Sequence, residues 1–142
     1  MTRIVRRSIA GLVAALILVA SACDTVERQE AASLLNQYRA RYGLHGLVRS
    51  AELDNKAQSH AQSMANAGRI FHSPNLAAGV SPGWMLIGEN VAVAPSVTSA
   101  QRALEGSAPH RENMLNGRFN HMGIGVVVTK SRVYVVQVFV QR

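Results

Sequence analysis

Phe71-His72-Ser73-Pro74, Gly88-Glu89-Asn90-Val91-Ala92 and Ser107-Ala108-Pro109-His110-Arg111-Glu112-Asn113 punctuate the stretch from Ile70 to Asn113. Each segment carries an imidazole or a carboxylate beside Gly, Ser or Pro. That is how a chain delivers side chains to one cleft from separate elements. His72, Glu89 and His110 are therefore the candidate site residues, with Asn90, Ser107, Arg111 and Asn113 as supporting polar groups.

Upstream, Leu34, Leu35, Tyr38 and Tyr42 fall at helical spacing from Glu30 onward, with Arg39 and Arg41 expected to turn away from the core and Gly43 and Gly46 to end the helix. A second helix follows Ser50 as N-cap. Leu53, Ala57, Ala61 and Met64 make its buried stripe, Glu52 and Asp54 occupy its first turn, and Gly68 stops it. His60 lies beside that stripe and is expected to be a hydrogen-bonded core residue rather than a ligand. A loop over 77–83 ends at Trp84, which either rims a site or plugs the core.

Gly88-Glu89-Asn90 reads as a short extended element that places a polar pair at a sheet edge. Pro95 and Ser96 introduce a third helix with Val97, Ala100, Ala103 and Leu104 on its apolar face. Ser107 and Pro109 open a short fourth helix that ends at Asn116-Gly117. The period then changes. Residues 124–128 and 133–140 are β-branched and aromatic runs around a turn at 129–132, a hairpin in which Gly123 and Gly125 mark close backbone packing or a bulge. Helices first and strands last predict an α+β domain with a small antiparallel sheet covered by helices.

The start of the chain has a different character. Arg3, Arg6 and Arg7 precede an uncharged run from Ser8 to Ala22, a basic and then apolar pattern typical of an export signal. Ala20-Ser21-Ala22-Cys23 resembles a bacterial lipobox, which makes Cys23 the expected lipid acceptor; a simple signal peptide cut near Ala22 and an uncleaved anchor are the alternatives. The expected organisation is a signal peptide over 1–22, a linker over 23–30 and one domain over 31–142, held at the cell envelope by the lipid or else secreted. Cys23 is the sole cysteine, so the domain stands without a disulfide. Of the net charge of +7, the three leader arginines carry three, leaving +4. The remaining arginines are scattered and not interleaved with aromatics, so no nucleic-acid partner is expected.

Leu34-Leu35-Asn36-Gln37-Tyr38-Arg39, Ala57-Gln58-Ser59-His60, Phe71-His72-Ser73, Gly88-Glu89-Asn90-Val91-Ala92, residues 107–115 and Gly123-Ile124-Gly125-Val126, in this order and spacing, resemble the CAP superfamily of cysteine-rich secretory, antigen 5 and pathogenesis-related 1 proteins. The resemblance implies a three-layer α-β-α sandwich with a central antiparallel sheet. It also implies a cleft lined by two His and two acidic residues, matched here by His72, His110 and Glu89. The family's second acidic position falls near Ser107, with Glu105 as a neighbour and Leu104 where the family carries Trp.

Three readings stay open for these residues. Two neutral imidazoles and a carboxylate form a ligand set for a divalent cation such as Zn²⁺. With an activated water, the same set would serve a metal-dependent hydrolase of peptide or envelope polymer, although the second carboxylate is missing. Alternatively, the polar groups hold a loop-rich cleft in shape for a structural or partner-binding lipoprotein. Gly106-Ser107 lacks the Gly-x-Ser-x-Gly elbow of a serine nucleophile. The leading expectation is a CAP domain that binds a small molecule, lipid, envelope component or cation in the His/Glu cleft.

Overall fold

The computed structural model describes the backbone over residues 11–142 and the side chains over 26–142. Of the leader expected over 1–22, residues 1–10 fall outside the described residues, while 11–22 and the expected lipid acceptor Cys23 are described in their backbone only, as part of the first helix. Among the described residues the elements run α1 (Gly11–Arg41), β1 (Val48–Arg49), α2 (Ala51–Ala67), β2 (Leu86–Ala94), α3 (Val97–Gly106), α4 (Ala108–Leu115), β3 (His121–Val128) and β4 (Val133–Gln141). Residues 26–30, expected as linker, are helical within α1. No helix of the described residues is long and apolar enough to cross a membrane.

The strands form one sheet in the order β1-β3-β4-β2. The three long strands pair antiparallel as expected, but β1 lies parallel to β3 through Val48↔His121 and Arg49↔Met122, so the sheet is mixed. Two residues are too few to show an alternation, which is why β1 escapes a reading of periodicity. β4 sits in the middle and is buried on both faces. Val133, Val135 and Phe139 pack into the layer of α1 and α3, while Tyr134, Val136, Val138 and Val140 pack with the stripe of α2. A strand covered on both sides has no polar face, hence its near-continuous apolar run. The result is the three-layer α-β-α sandwich.

Most local signals act as read. Ser96 caps α3, its side chain accepting from the Ser99 N–H, and Gly68 adopts the left-handed conformation that closes α2. Ser50 stands at the α2 N-cap position, but its side chain makes no capping bond. Ala103 and Tyr42 are exposed rather than buried.

Arg39 is the larger departure. Expected to face solvent, it is only 2% exposed. Its guanidinium donates to the carbonyls of His45 (2.9 Å), Met114 (2.7 Å) and Asn116 (3.1 Å). Two of these belong to the C-terminal end of α4, where orphan carbonyls concentrate negative potential. Burial lowers the Arg39 pKa, but guanidinium stays charged in proteins, and each charge-assisted bond returns about 1.5–3 kcal/mol. Arg39 thus joins α1 to α4.

On the opposite face, α2 lies unusually close to β3. A Cβ placed on Gly123 would fall 2.1 Å from the carbonyl carbon of Leu53, and one on Gly125 would fall 2.2 Å from that of Ala57. The predicted close packing is therefore present. It brings two α2 side chains onto the β3 backbone: Asp54 accepts from the Ile124 N–H (2.8 Å), and Gln58 both accepts from the Val126 N–H (2.8 Å) and donates to the Val126 carbonyl (2.9 Å). Four helix residues advance roughly 6 Å and two strand residues roughly 7 Å, so the two spacings match.

Replacing Gly123 by Ala must push α2 away from the sheet, because the obstruction is helix backbone and cannot rotate aside. The expected cost in urea unfolding is about 3 kcal/mol. Gly106→Ala, which would meet open space, should stay within about 0.5 kcal/mol of the parent or exceed it.

Candidate functional site

Alternation along β2 decides where each candidate points. Glu89 and Asn90 are consecutive, so they project to opposite faces of the sheet. Val91, on Glu89's face, packs with α2, whereas Ala92, on Asn90's face, packs with α1 and α3. Gly88 permits the close approach of α4: a Cβ there would lie 3.0 Å from Asn113 Oδ1 and 3.1 Å from Phe119 Cζ.

Glu89 is nearly enclosed, its side chain 3% exposed. Oε1 accepts from His72 Nδ1 (2.9 Å) and from the Ser73 N–H (2.9 Å), and Oε2 accepts from the Ser73 hydroxyl. With the carboxylate oxygen as acceptor, His72 donates through Nδ1, and Nε2 is left outside this bond. His72 itself is 61% exposed. The backbone before it is also fixed. His60 Nε2 donates to the Phe71 carbonyl (2.7 Å), and the two rings meet edge to face at 5.2 Å. His60 is the satisfied core histidine that its position predicts.

His110 reaches the same cleft from the first turns of α4, its ring centroid 6.5 Å from that of His72 and tilted 35° to it. Among the described residues no side chain or backbone group bonds to its ring. Burial, and then the neighbouring His72, pull its pKa below the usual 6.5. The ring is therefore neutral at pH 7, with a lone pair available.

Behind the imidazoles runs a buried chain of amides. Asn90 Nδ2 donates to the His110 carbonyl (3.0 Å) and to Gln137 Oε1 (3.1 Å), and Asn113 Nδ2 donates to Asn90 Oδ1 (2.9 Å) and to the Glu89 carbonyl (3.3 Å). Gln137 Nε2 then donates to Gln101 Oε1 (3.0 Å), and Gln101 Nε2 to Glu105 Oε1 (3.0 Å). Asn90 and Gln137 are fully buried. Leaving one such group unpaired costs about 1–3 kcal/mol, so the chain holds α4, and His110 with it, against the sheet. Asn90 and Asn113, two of the supporting polar groups named from the sequence, belong to this chain of amides. Gln101 and Gln137 escaped the sequence reading; a lone Gln in each of two apolar stripes was the available signal.

Among the described residues the remaining candidates make no hydrogen bond to either imidazole. Ser107 is the N-cap position of α4 without a side-chain bond, and Arg111 donates to the Glu105 carbonyl (3.0 Å). Both Glu105 oxygens accept from Arg41 (3.2 Å), so Glu105 does not supply a second carboxylate to the cleft. No group of three or more His, Cys, Asp or Glu among the described residues is placed to hold a metal. Glu89 instead orients His72.

The fold agrees with the comparisons. The model of the cysteine-rich secretory protein family, CAP, matches residues 32–141, and the chain belongs to that family. An extracellular SCP-domain protein from Bacillus anthracis str. Ames is similar in fold with a TM-score of 0.72 and 26% identity, over 84% of this chain and 41% of that one. The chain thus spans well under half of the Bacillus protein's length. An outer surface protein of Borrelia burgdorferi superposes with a TM-score of 0.69 at 19% identity, covering 82% of this chain and 92% of that one. A structure of NaASP2 with Zn²⁺ superposes with a TM-score of 0.57 at 14% identity, covering 80% and 78%. Among curated proteins nothing matches.

Because the folded state binds the His110 proton less tightly than the unfolded chain, His110 costs no stability above about pH 6.5 and costs progressively more as pH falls below it, down to the depressed folded pKa. His110→Gln should flatten the fall in melting temperature over that window, leaving the alkaline side unchanged.

Proposed function

We propose that the protein is an exported CAP domain whose His72–His110 pair binds a divalent cation or a cation-bridged ligand at the cell envelope. The observation that carries this reading is the paired imidazoles, one fixed by a buried carboxylate through Nδ1 and the other kept neutral by burial. Two neutral nitrogens with a carboxylate behind one of them suit a borderline cation such as Zn²⁺. A carboxylate bonded to a ligating His orients the ring and raises its basicity. On this reading His72 and His110 hold the ion, Glu89 and Ser73 hold His72, and Asn90 and Asn113 hold the α4 backbone beneath His110. When bound, the ion would supply a Lewis-acidic point for an anionic or carbonyl-bearing ligand.

Calorimetric titration of the full chain with Zn²⁺ tests this. His72→Ala and His110→Ala should each weaken binding at least about tenfold, and Glu89→Gln should weaken it about tenfold while the ring nitrogens remain. Heats indistinguishable between the parent and both His variants would remove the site.

The anchoring belongs to the same proposal. A basic and then apolar start that ends at Cys23 supports lipidation of that residue. In detergent phase separation the parent should enter the detergent phase and Cys23→Ala the aqueous phase. Equal partition of both would exclude a lipid on Cys23.

A further inference from the structure

The two ends of the sandwich are told apart by their contacts. At the C-terminal end of α1 stand His45 and β1, whose Val48 pairs with His121 at the start of β3. Toward the other end of α1, Glu30 accepts from the Thr98 hydroxyl (2.9 Å) in the first turn of α3. α3 follows directly on β2, whose last residue Ala94 shares a rung with Val133 and Val128. The β3–β4 turn over 129–132 therefore projects at the end from which α1 enters the domain. A groove of about 220 Å³ joins this turn to the β2–α3 connection, lined by Ala94, Pro95, Ser131 and Arg132.

Cys23 belongs to the same helix and precedes Glu30 by roughly 10 Å along its axis. The inference drawn from this rests on the lipidation of Cys23 proposed above: a lipid at that position puts the bilayer surface beside this end of the molecule. The turn there is well fixed. The Thr129 N–H donates to the Arg132 carbonyl (2.8 Å) and the Arg132 N–H to the Thr129 hydroxyl (3.1 Å), which leaves Lys130 and Ser131 at the tip. The side chains of Lys130 and Arg132 are exposed and make no hydrogen bond or ion pair with any described residue. Val128 and Val26 stand exposed at the same end.

Exposure alone does not choose between the ends, since Tyr42 and Val48 at the far end are as bare. Nor is the near end strongly basic, because Glu27 and Glu30 stand on the adjoining turns of α1. The tether makes the choice. A lipid converts the contact of the domain with the bilayer into an intramolecular event, so a surface beside it needs little affinity of its own. Two unpaired cations on a rigid tip then select which face meets anionic headgroups, with the neighbouring valines against the headgroup layer. We infer that the end bearing the β3–β4 turn is the membrane-facing surface of the protein, with Lys130 and Arg132 lying on an anionic lipid bilayer. Glu89 is roughly 17 Å along β2 from Ala94. This orientation holds the His72–His110 cleft clear of the headgroups, so that its ligand comes from the aqueous side.

The test uses the full lipidated chain in vesicles of phosphatidylcholine and phosphatidylglycerol, with a bimane label on Ser131→Cys or, at the far end, on His45→Cys. Cys23, its sulfur occupied by the lipid, takes no label. Nitroxide-bearing lipids should quench the label at 131 about threefold more than the label at 45, and Lys130→Glu combined with Arg132→Glu should cut the quenching at 131 by about half while the chain still floats with the vesicles. Equal quenching at the two positions, stronger quenching at 45, or a profile unchanged by the double substitution would overturn the orientation. So would shielding of the 131 label from aqueous iodide without quenching by lipid, which would assign this end to a second copy or another protein. A chain that does not float with the vesicles overturns the anchoring and the inference with it; flotation with any of the other outcomes overturns the inference alone.

Discussion

The approach of α2 to β3 across Gly123 and Gly125 is the contact on which the rest of the molecule depends. With side chains at those positions the helix would stand off by the depth of a methyl group or more, and Asp54 and Gln58 would lose the β3 backbone. β1 covers only the first two residues of β3. The donors at Ile124 and Val126 are completed by the helix instead of by a strand, so an otherwise open edge is closed by side chains. The site inherits that placement. α2 carries His60, His60 holds the Phe71 carbonyl, and the next residue is His72. A shift of α2 would therefore be passed to His72.

The second organising feature is the division of two adjacent polar residues between the faces of an edge strand. Glu89 enters the α2 side and is used up by His72 and Ser73, while Asn90 enters the other side and begins the amide chain to Gln137 and Gln101. One face therefore fixes the ring of His72 and the other fixes the backbone of His110. The two rings come from different layers of the sandwich and meet beside the strand that separates them. A buried network of this kind tolerates little slack, since each amide that loses a partner remains desolvated. It ends at Glu105 and Arg41, near the surface of α1 and α3, which is why Glu105 does not serve the cleft.

Much of this was legible in the chain. The stripe of α2, the caps at Ser96 and Gly68, the hairpin about 129–132 and the candidates His72, Glu89 and His110 follow from periodicity and turn chemistry. Those are local properties, written within a few residues of one another. Arg39 misled for the same reason. Its helical position puts it beside the buried stripe, and only the arrival of the α4 terminus, 75 residues later, supplies the carbonyls that make its burial favourable. β1 was invisible because its existence depends on the neighbour it pairs with.

The sequence by itself determined the layered α+β architecture, the family and the identity of the candidate residues, because each rests on spacing and composition that survive without three-dimensional partners. Only the tertiary structure decided what those residues bond to. It turned Glu89 inward onto His72 and Ser73, withdrew Glu105 to Arg41, and joined Asn90 to Gln137 and through it to Gln101. These are matters of which lone pair meets which donor across the core, and such encounters are fixed by the distance between packed layers, which no local pattern encodes.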